Sequence, residues 1–149
     1  MTILNDPFDK LEVGNRVRTT GRTMTETDVV NFCMLSGNWI EIHTNVEFAK
    51  ESHFGKRLVQ GTLVFTAIAG LLSLGPFITA FYGVDGLRFV APVFIGDTIY
   101  VEPEIIDLKE RDEKHGVVTL RVDVKNQRDE IVQTSEWRIL LLRKGLEAE

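Results

Sequence analysis

Apolar and polar positions alternate through the second half of the chain with the period of two that half-buried β-strands require. Between Val117 and Lys125, the residues Leu120, Val122 and Val124 fall on one side and Thr119, Arg121, Asp123 and Lys125 on the other. Asp97 to Ile106 repeats the pattern with Ile99, Val101 and Ile105 inward. Pro103, which has no N–H to donate, predicts a bulge or an edge position there. Glu130 to Leu142 forms a third long strand after a turn over Asn126 to Asp129. Gly86 to Ala91 supplies a shorter strand ending at Pro92, and Val13 to Thr20 a further one near the start.

The first half carries helical signals instead. Thr25 and Asp28 have the spacing of a capping box before the apolar run Val29 to Leu35, with Gly37 as the stop. Thr44 and Glu47 repeat that spacing before Phe48, Ala49 and Lys50. Thr62 to Leu74 is apolar nearly all round, preceded by Gly61 and stopped by Gly75 and Pro76. As a helix it would be about 20 Å long at ~1.5 Å per residue, short of the roughly 30 Å that a membrane core demands. A helix with no polar face is expected to be enclosed on every side. The strands come consecutively rather than alternating with helices, so the class is α+β. A curved antiparallel sheet wrapped around one long central helix satisfies the order, as a single domain over residues 1–149. Such a sheet leaves an outer face and an edge to protect. Trp137, Phe89 and Phe94 are candidates for the face turned away from the helix, and an edge-to-edge homodimer, or a higher homo-oligomer, is the expected assembly.

Charge and composition narrow the function classes. The net charge is −5, and no Lys/Arg cluster is longer than Arg143-Lys144. A bare nucleic-acid or anionic-membrane binder would carry a basic surface, so both classes are excluded. The single cysteine, Cys33, rules out an intrachain disulfide framework and fits a reducing compartment. Three scattered histidines show no metal-ligand spacing, and no metal or organic cofactor is expected. The first residues lack the pattern of a signal peptide, which leads to a cytoplasmic expectation.

Two stretches could carry chemistry. Asn38, Glu41 and His43 fall within six positions after the Gly37 helix stop. Imidazole can take up or release a proton near neutrality, so His43 is a candidate acid/base; a histidine satisfied by a backbone carbonyl is the plainer alternative. His53 and His115 lie beside Gly55 and Gly116 in expected loops and suggest nothing further. Gln60, Gly61 and Thr62 open the apolar helix. Free N–H groups and the helix dipole there can stabilise a carbonyl oxygen, and glycine lets a ligand approach the backbone. An ordinary helix start is the alternative.

The string Phe32-x-x-Leu35-Ser36-Gly37-Asn38-x-x-x-Ile42-His43 resembles the signature of the MaoC-like, or (R)-specific enoyl-CoA hydratase, family of hotdog-fold proteins. Phe48 to Gly55, Val59-Gln60-Gly61 and the later Leu87-x-Phe89-x-x-Pro92 and Gly96-Asp97-Thr98 match its usual continuation, so the likeness runs from about Phe8 to Leu142. The resemblance implies a hotdog dimer that binds acyl-CoA thioesters as substrate and adds water reversibly across a 2,3 double bond. It implies His43 as the catalytic histidine and the Gly61 N–H as the oxyanion donor. Gln60, Thr62 and Phe65 would then contact substrate, with Phe77 and Phe81 along the acyl tail and Lys56, Arg57 or Arg143 near the CoA phosphates. The departure is at Asn38, where the family carries a catalytic Asp, and at Ile40-Glu41, where it carries Asn-Pro. An amide can only donate or accept hydrogen bonds. Asn38 would therefore partner the water without taking its proton. Glu41 standing in for the carboxylate, an inactivating change in an ordinary hydratase, a thioesterase, a non-catalytic acyl-CoA-binding protein or partner subunit, and an unusual dehydratase that uses His43 alone remain the alternatives.

Overall fold

The structure is a computed structural model that describes residues 2–144. After a single 3-10 turn at Phe8–Lys10, its first α-helix, α1 (Glu26–Ser36), starts where the local chemistry requires. Thr25 Oγ1 accepts from the Asp28 N–H, and Asp28 Oδ2 accepts from the Thr25 N–H at 2.8 Å, so two otherwise orphaned donors satisfy each other. Gly37 ends the helix in the left-handed region at φ 72°, a position that costs glycine nothing. Two short helices follow, α2 (Glu41–Thr44) and α3 (Val46–Glu51). The cap of α3 is Asn45, whose side chain accepts from the Phe48 N–H; Thr44 does not serve, because it is the last residue of α2 and its hydroxyl turns back to the carbonyls of Trp39 and Ile40.

The longest apolar run forms α4 (Gly61–Leu71), three residues shorter at its end than expected. It is not enclosed on every side. Leu63, Val64, Ala67 and Ile68 are buried, while Thr62, Thr66, Ala69 and Gly70 form an exposed stripe. The sequence of this face is small and weakly polar rather than charged, which is why periodicity alone does not separate it from the buried one.

Five strands form one antiparallel sheet in the order β1-β3-β4-β5-β2: β1 (Arg22–Thr23), β2 (Ile78–Phe89), β3 (Thr98–Glu110), β4 (His115–Lys125) and β5 (Ile131–Leu142). The sheet curls over α4, which is the hotdog arrangement and an α+β architecture. Leu120, Val122 and Val124 are fully buried, as the alternation predicts. Each such side chain contributes roughly 1.5–3 kcal/mol on burial.

Three further expectations change. Val13 to Thr20 is not a regular strand: Gly14, Val17 and Thr19 N–H groups reach the carbonyls of Ile105, Pro103 and Val101, but only Arg16 makes a bridge with Glu104. The Thr19 hydroxyl takes the Val101 N–H, replacing a ladder bond with a side-chain one. Pro103 accordingly sits with its donor-less nitrogen toward this irregular segment. Strand β2 begins eight residues earlier than predicted. It is an edge strand with three register shifts against β5, so its apolar positions do not alternate. Trp137 faces the helix rather than away from it. It is 1% exposed, its ring centroid lies 5.6 Å from that of Phe65 on α4, and its indole N–H donates to Ser135 Oγ. Phe89, by contrast, is exposed, and Phe94 lies half-buried beneath Lys56. Among the described residues no helix is long and apolar enough to cross a membrane.

Candidate active site

His43 lies on α2, in a stretch whose sequence suggests only a loop. The Leu58 N–H donates to the Ile42 carbonyl, tying α2 to the segment before α4. His43 Nδ1 lies 2.9 Å from the Leu58 carbonyl oxygen. A carbonyl can only accept, so Nδ1 carries the hydrogen and the neutral ring keeps its lone pair at Nε2. The backbone partner that the plainer alternative called for is present, yet it occupies one ring nitrogen and leaves the other available as a base.

The next residue along, Val59, donates its N–H to the Val93 carbonyl, fixing the chain just before α4. Gln60 is the residue flanking the helix and provides no side-chain cap. The first N–H groups of α4, beginning with that of Gly61, therefore lack both an intrahelical and a capping partner. A Cβ at Gly61 would come within 2.7 Å of the Phe89 ring, so any larger residue here would have to push that exposed ring aside. His43 and Gly61 border the same cavity of about 370 Å³, whose other walls include Phe54, Leu58, Val64 and Phe89. Among the described residues no Asp or Glu lines it. The strongly held carboxylates lie elsewhere; that of Glu104 on β3 is drawn below its ordinary value by hydrogen bonds from Arg16 and Arg121. No group of three or more His, Cys, Asp or Glu among the described residues is placed to hold a metal ion.

The remaining sequence candidates are dispersed. Asn38 is half-buried, does not line the cavity, and has a buried Oδ1 without a hydrogen-bond partner in the protein. Glu41 is exposed and its Oε1 accepts from Asn45 Nδ2, which turns it away from the role of substitute base. Gln60 is 1% exposed and donates from Nε2 to Cys33 Sγ at 3.2 Å, behind the helix start. Thr62 belongs to the exposed stripe, and Phe65 packs on Trp137. Phe77 is half-buried against the core, whereas Phe81 is exposed beside Trp137. Arg57 is held by Glu26 and by the His43 carbonyl, and Lys56 lies 4.2 Å above the Phe94 ring. Both border a separate recess of about 260 Å³ with Lys50. Arg143 is spent between Asp9 and Glu110. Sequence reasoning missed Gln133, which lines the main cavity from β5. The available signal was a polar residue at the inward parity shared by Ser135, Trp137 and Ile139.

The hotdog domain, with a histidine and the uncapped start of its central helix on one apolar cavity, is the arrangement the sequence resemblance implies. The chain belongs to the MaoC-like domain family, which it matches over residues 9–127. It is 43% identical over 97 residues to protein MaoC of Klebsiella aerogenes, covering 63% of this chain but only 29% of that protein's length. It is 32% identical to an (R)-specific enoyl-CoA hydratase of Aeromonas caviae, covering 75% of this chain and 83% of the relative. A solved monoamine oxidase regulatory protein from Archaeoglobus superposes with a TM-score of 0.87 at 37% identity, covering 97% of this chain and 99% of that one.

Proposed function

We propose that this chain catalyses the reversible hydration of a 2-enoyl-CoA to an (R)-3-hydroxyacyl-CoA. The observation that carries the reading is the shared cavity: His43, anchored through Nδ1, and the uncapped start of α4 at Gly61 border one apolar space. The thioester oxygen would accept from the Gly61 N–H, where the helix dipole stabilises the negative charge that develops as water adds. His43 Nε2 would take one proton from the water as its oxygen bonds to C3. The resulting imidazolium returns a proton to C2, so one imidazole serves both half-steps. Asn38 lies outside the cavity lining, so it would reach the water only if its side chain turned inward, and there it would orient the water without exchanging a proton with it.

The assembly proposed for this activity is a homodimer. Support comes from the edge strand β2, with Phe81, Tyr82 and Phe89 exposed, and from the exposed small-residue face of α4. Light scattering is expected to give the mass of two chains; a stable single-chain mass would overturn the assembly. The buried free thiol of Cys33 supports placement in a reducing, cytoplasmic setting.

The test of activity is the loss of enoyl absorbance when crotonyl-CoA is mixed with the protein, with an (R)-configured 3-hydroxy product. Release of free CoA thiol instead would point to a thioesterase. A second reading, a non-catalytic acyl-CoA-binding partner subunit, is favoured by one observation: no carboxylate lines the cavity among the described residues. Tight binding of butyryl-CoA with neither absorbance loss nor thiol release would select it.

A further inference from the structure

The least expected group in the cavity wall is a carboxamide. Gln133 is 1% exposed, and both its Oε1 and its Nε2 are buried without a hydrogen-bond partner in the protein. An unsatisfied buried polar atom costs on the order of 1–3 kcal/mol, and here one side chain carries two. An apolar residue of similar size would remove that cost at once, so the position calls for a ligand that pairs with it.

Its place in the sheet says which part of a ligand. On β5, Gln133 has the same parity as Trp137, which packs against α4, so it faces the helix. Across the sheet it pairs with Phe89, one end of the segment that lines the cavity. The other end of that segment, Val93, is bonded to Val59, next to the Leu58 carbonyl that anchors His43. Gln133 and His43 thus stand at opposite ends of one lining segment. An acyl chain whose reacting carbons lie at His43 would present a different group to Gln133.

The amide also says what kind of group. With Nε2 and Oε1 both unpaired, the complement is a neutral group that can accept and donate together, as a hydroxyl does. A carboxylate would satisfy only the Nε2 donor and would face Oε1 with a second negative oxygen. No Lys or Arg among the described residues lines the cavity to offset its charge.

We propose that Gln133 selects the acyl group, its carboxamide hydrogen-bonding a neutral hydroxyl substituent carried by the acyl chain away from the C2–C3 bond. The proposal rests on the cavity being an acyl-thioester site but not on turnover. It assigns the chain a hydroxylated short acyl-CoA in preference to a plain alkyl one.

Equilibrium binding to the intact protein tests it, using 4-hydroxybutyryl-CoA and 5-hydroxyvaleryl-CoA against butyryl-CoA and valeryl-CoA, with succinyl-CoA as the anionic comparison. At least one hydroxylated ligand is expected to bind tenfold or more tighter than its unsubstituted counterpart, and succinyl-CoA weakest. The Gln133→Leu variant is expected to abolish that preference, keep or improve affinity for the plain acyl-CoAs, and raise the Tm, since two unsatisfied atoms are removed. Equal affinity of the hydroxylated and plain ligands for the unmodified protein overturns the proposal, as does a tighter succinyl-CoA complex. A Gln133→Leu variant with lowered Tm and uniformly weakened binding also overturns it, by showing a structural role. If the hydroxyl preference holds but crotonyl-CoA and its 4-hydroxy analogue are not hydrated, the hydratase reading fails and the selection by Gln133 stands. If no acyl-CoA binds, both fail.

Discussion

Replacing His43 with alanine is expected to lower kcat/KM for crotonyl-CoA by about 10²–10⁴, the range in which positioned general acid–base groups contribute. The size follows from the geometry. In this cavity His43 is the one side chain among the described lining residues that can exchange a proton with water. The alanine change also removes the hydrogen bond to the Leu58 carbonyl, so a fall in rate alone would mix chemistry with anchoring. His43→Asn separates them. An asparagine Nδ2 can donate to the same carbonyl from nearly the position of Nδ1, but nothing replaces Nε2. The asparagine variant is expected to retain the Tm and the butyryl-CoA affinity of the unmodified protein while losing turnover as fully as the alanine variant. Retained turnover in His43→Asn would remove the imidazole from the mechanism.

The opposite change is expected at Asn38. Asn38→Asp should raise hydration of crotonyl-CoA by about 10²–10⁴, because a second group able to exchange a proton joins His43. The buried, unpaired Oδ1 of Asn38 shows that the pocket around it offers an acid no ready-made donor. The position also lies just past the C-terminus of α1, where the helix dipole disfavours negative charge by roughly 0.3–1 kcal/mol. A small drop in Tm should therefore accompany the gain, measured by thermal unfolding at neutral pH. An unchanged rate in a folded variant would mean that Asn38 does not reach the bound water, in keeping with its absence from the cavity lining.

The sequence made the locally determined features legible. The capping box of Thr25 and Asp28 needs only neighbours, and the alternation of Leu120, Val122 and Val124 needs only one buried face. What required the folded chain was anything settled by a partner. The first eight residues of strand β2 escaped because its register slips against β5. Helix α2 is four residues long, below the length at which a helical period can show. Trp137 packs inward on Phe65 with its indole N–H on the Ser135 hydroxyl, and the parity it shares with Ile139 and Leu141 was the signal for that face. At the site, His43 and Gly61 were chosen from the sequence and do meet on one cavity. Lys56 and Arg57 were chosen on charge, which cannot foresee that Phe94 and Glu26 engage them. Gln133 was readable as a polar residue at an inward position, but its lack of partners is a property of the packed wall alone.

The pair proposed to act on substrate, His43 and Gly61, and the far wall of the cavity are encoded in separate stretches of chain. His43, the Leu58 carbonyl that anchors it and Gly61 lie within one short span, stitched to itself by the Ile42–Leu58 bond. Gln133 and Phe89 arrive from β5 and β2, long after that span has ended. Variation in either strand would thus retune which molecules are admitted while the span proposed to make and break bonds is inherited intact, a division of labour that would leave this scaffold free to diversify.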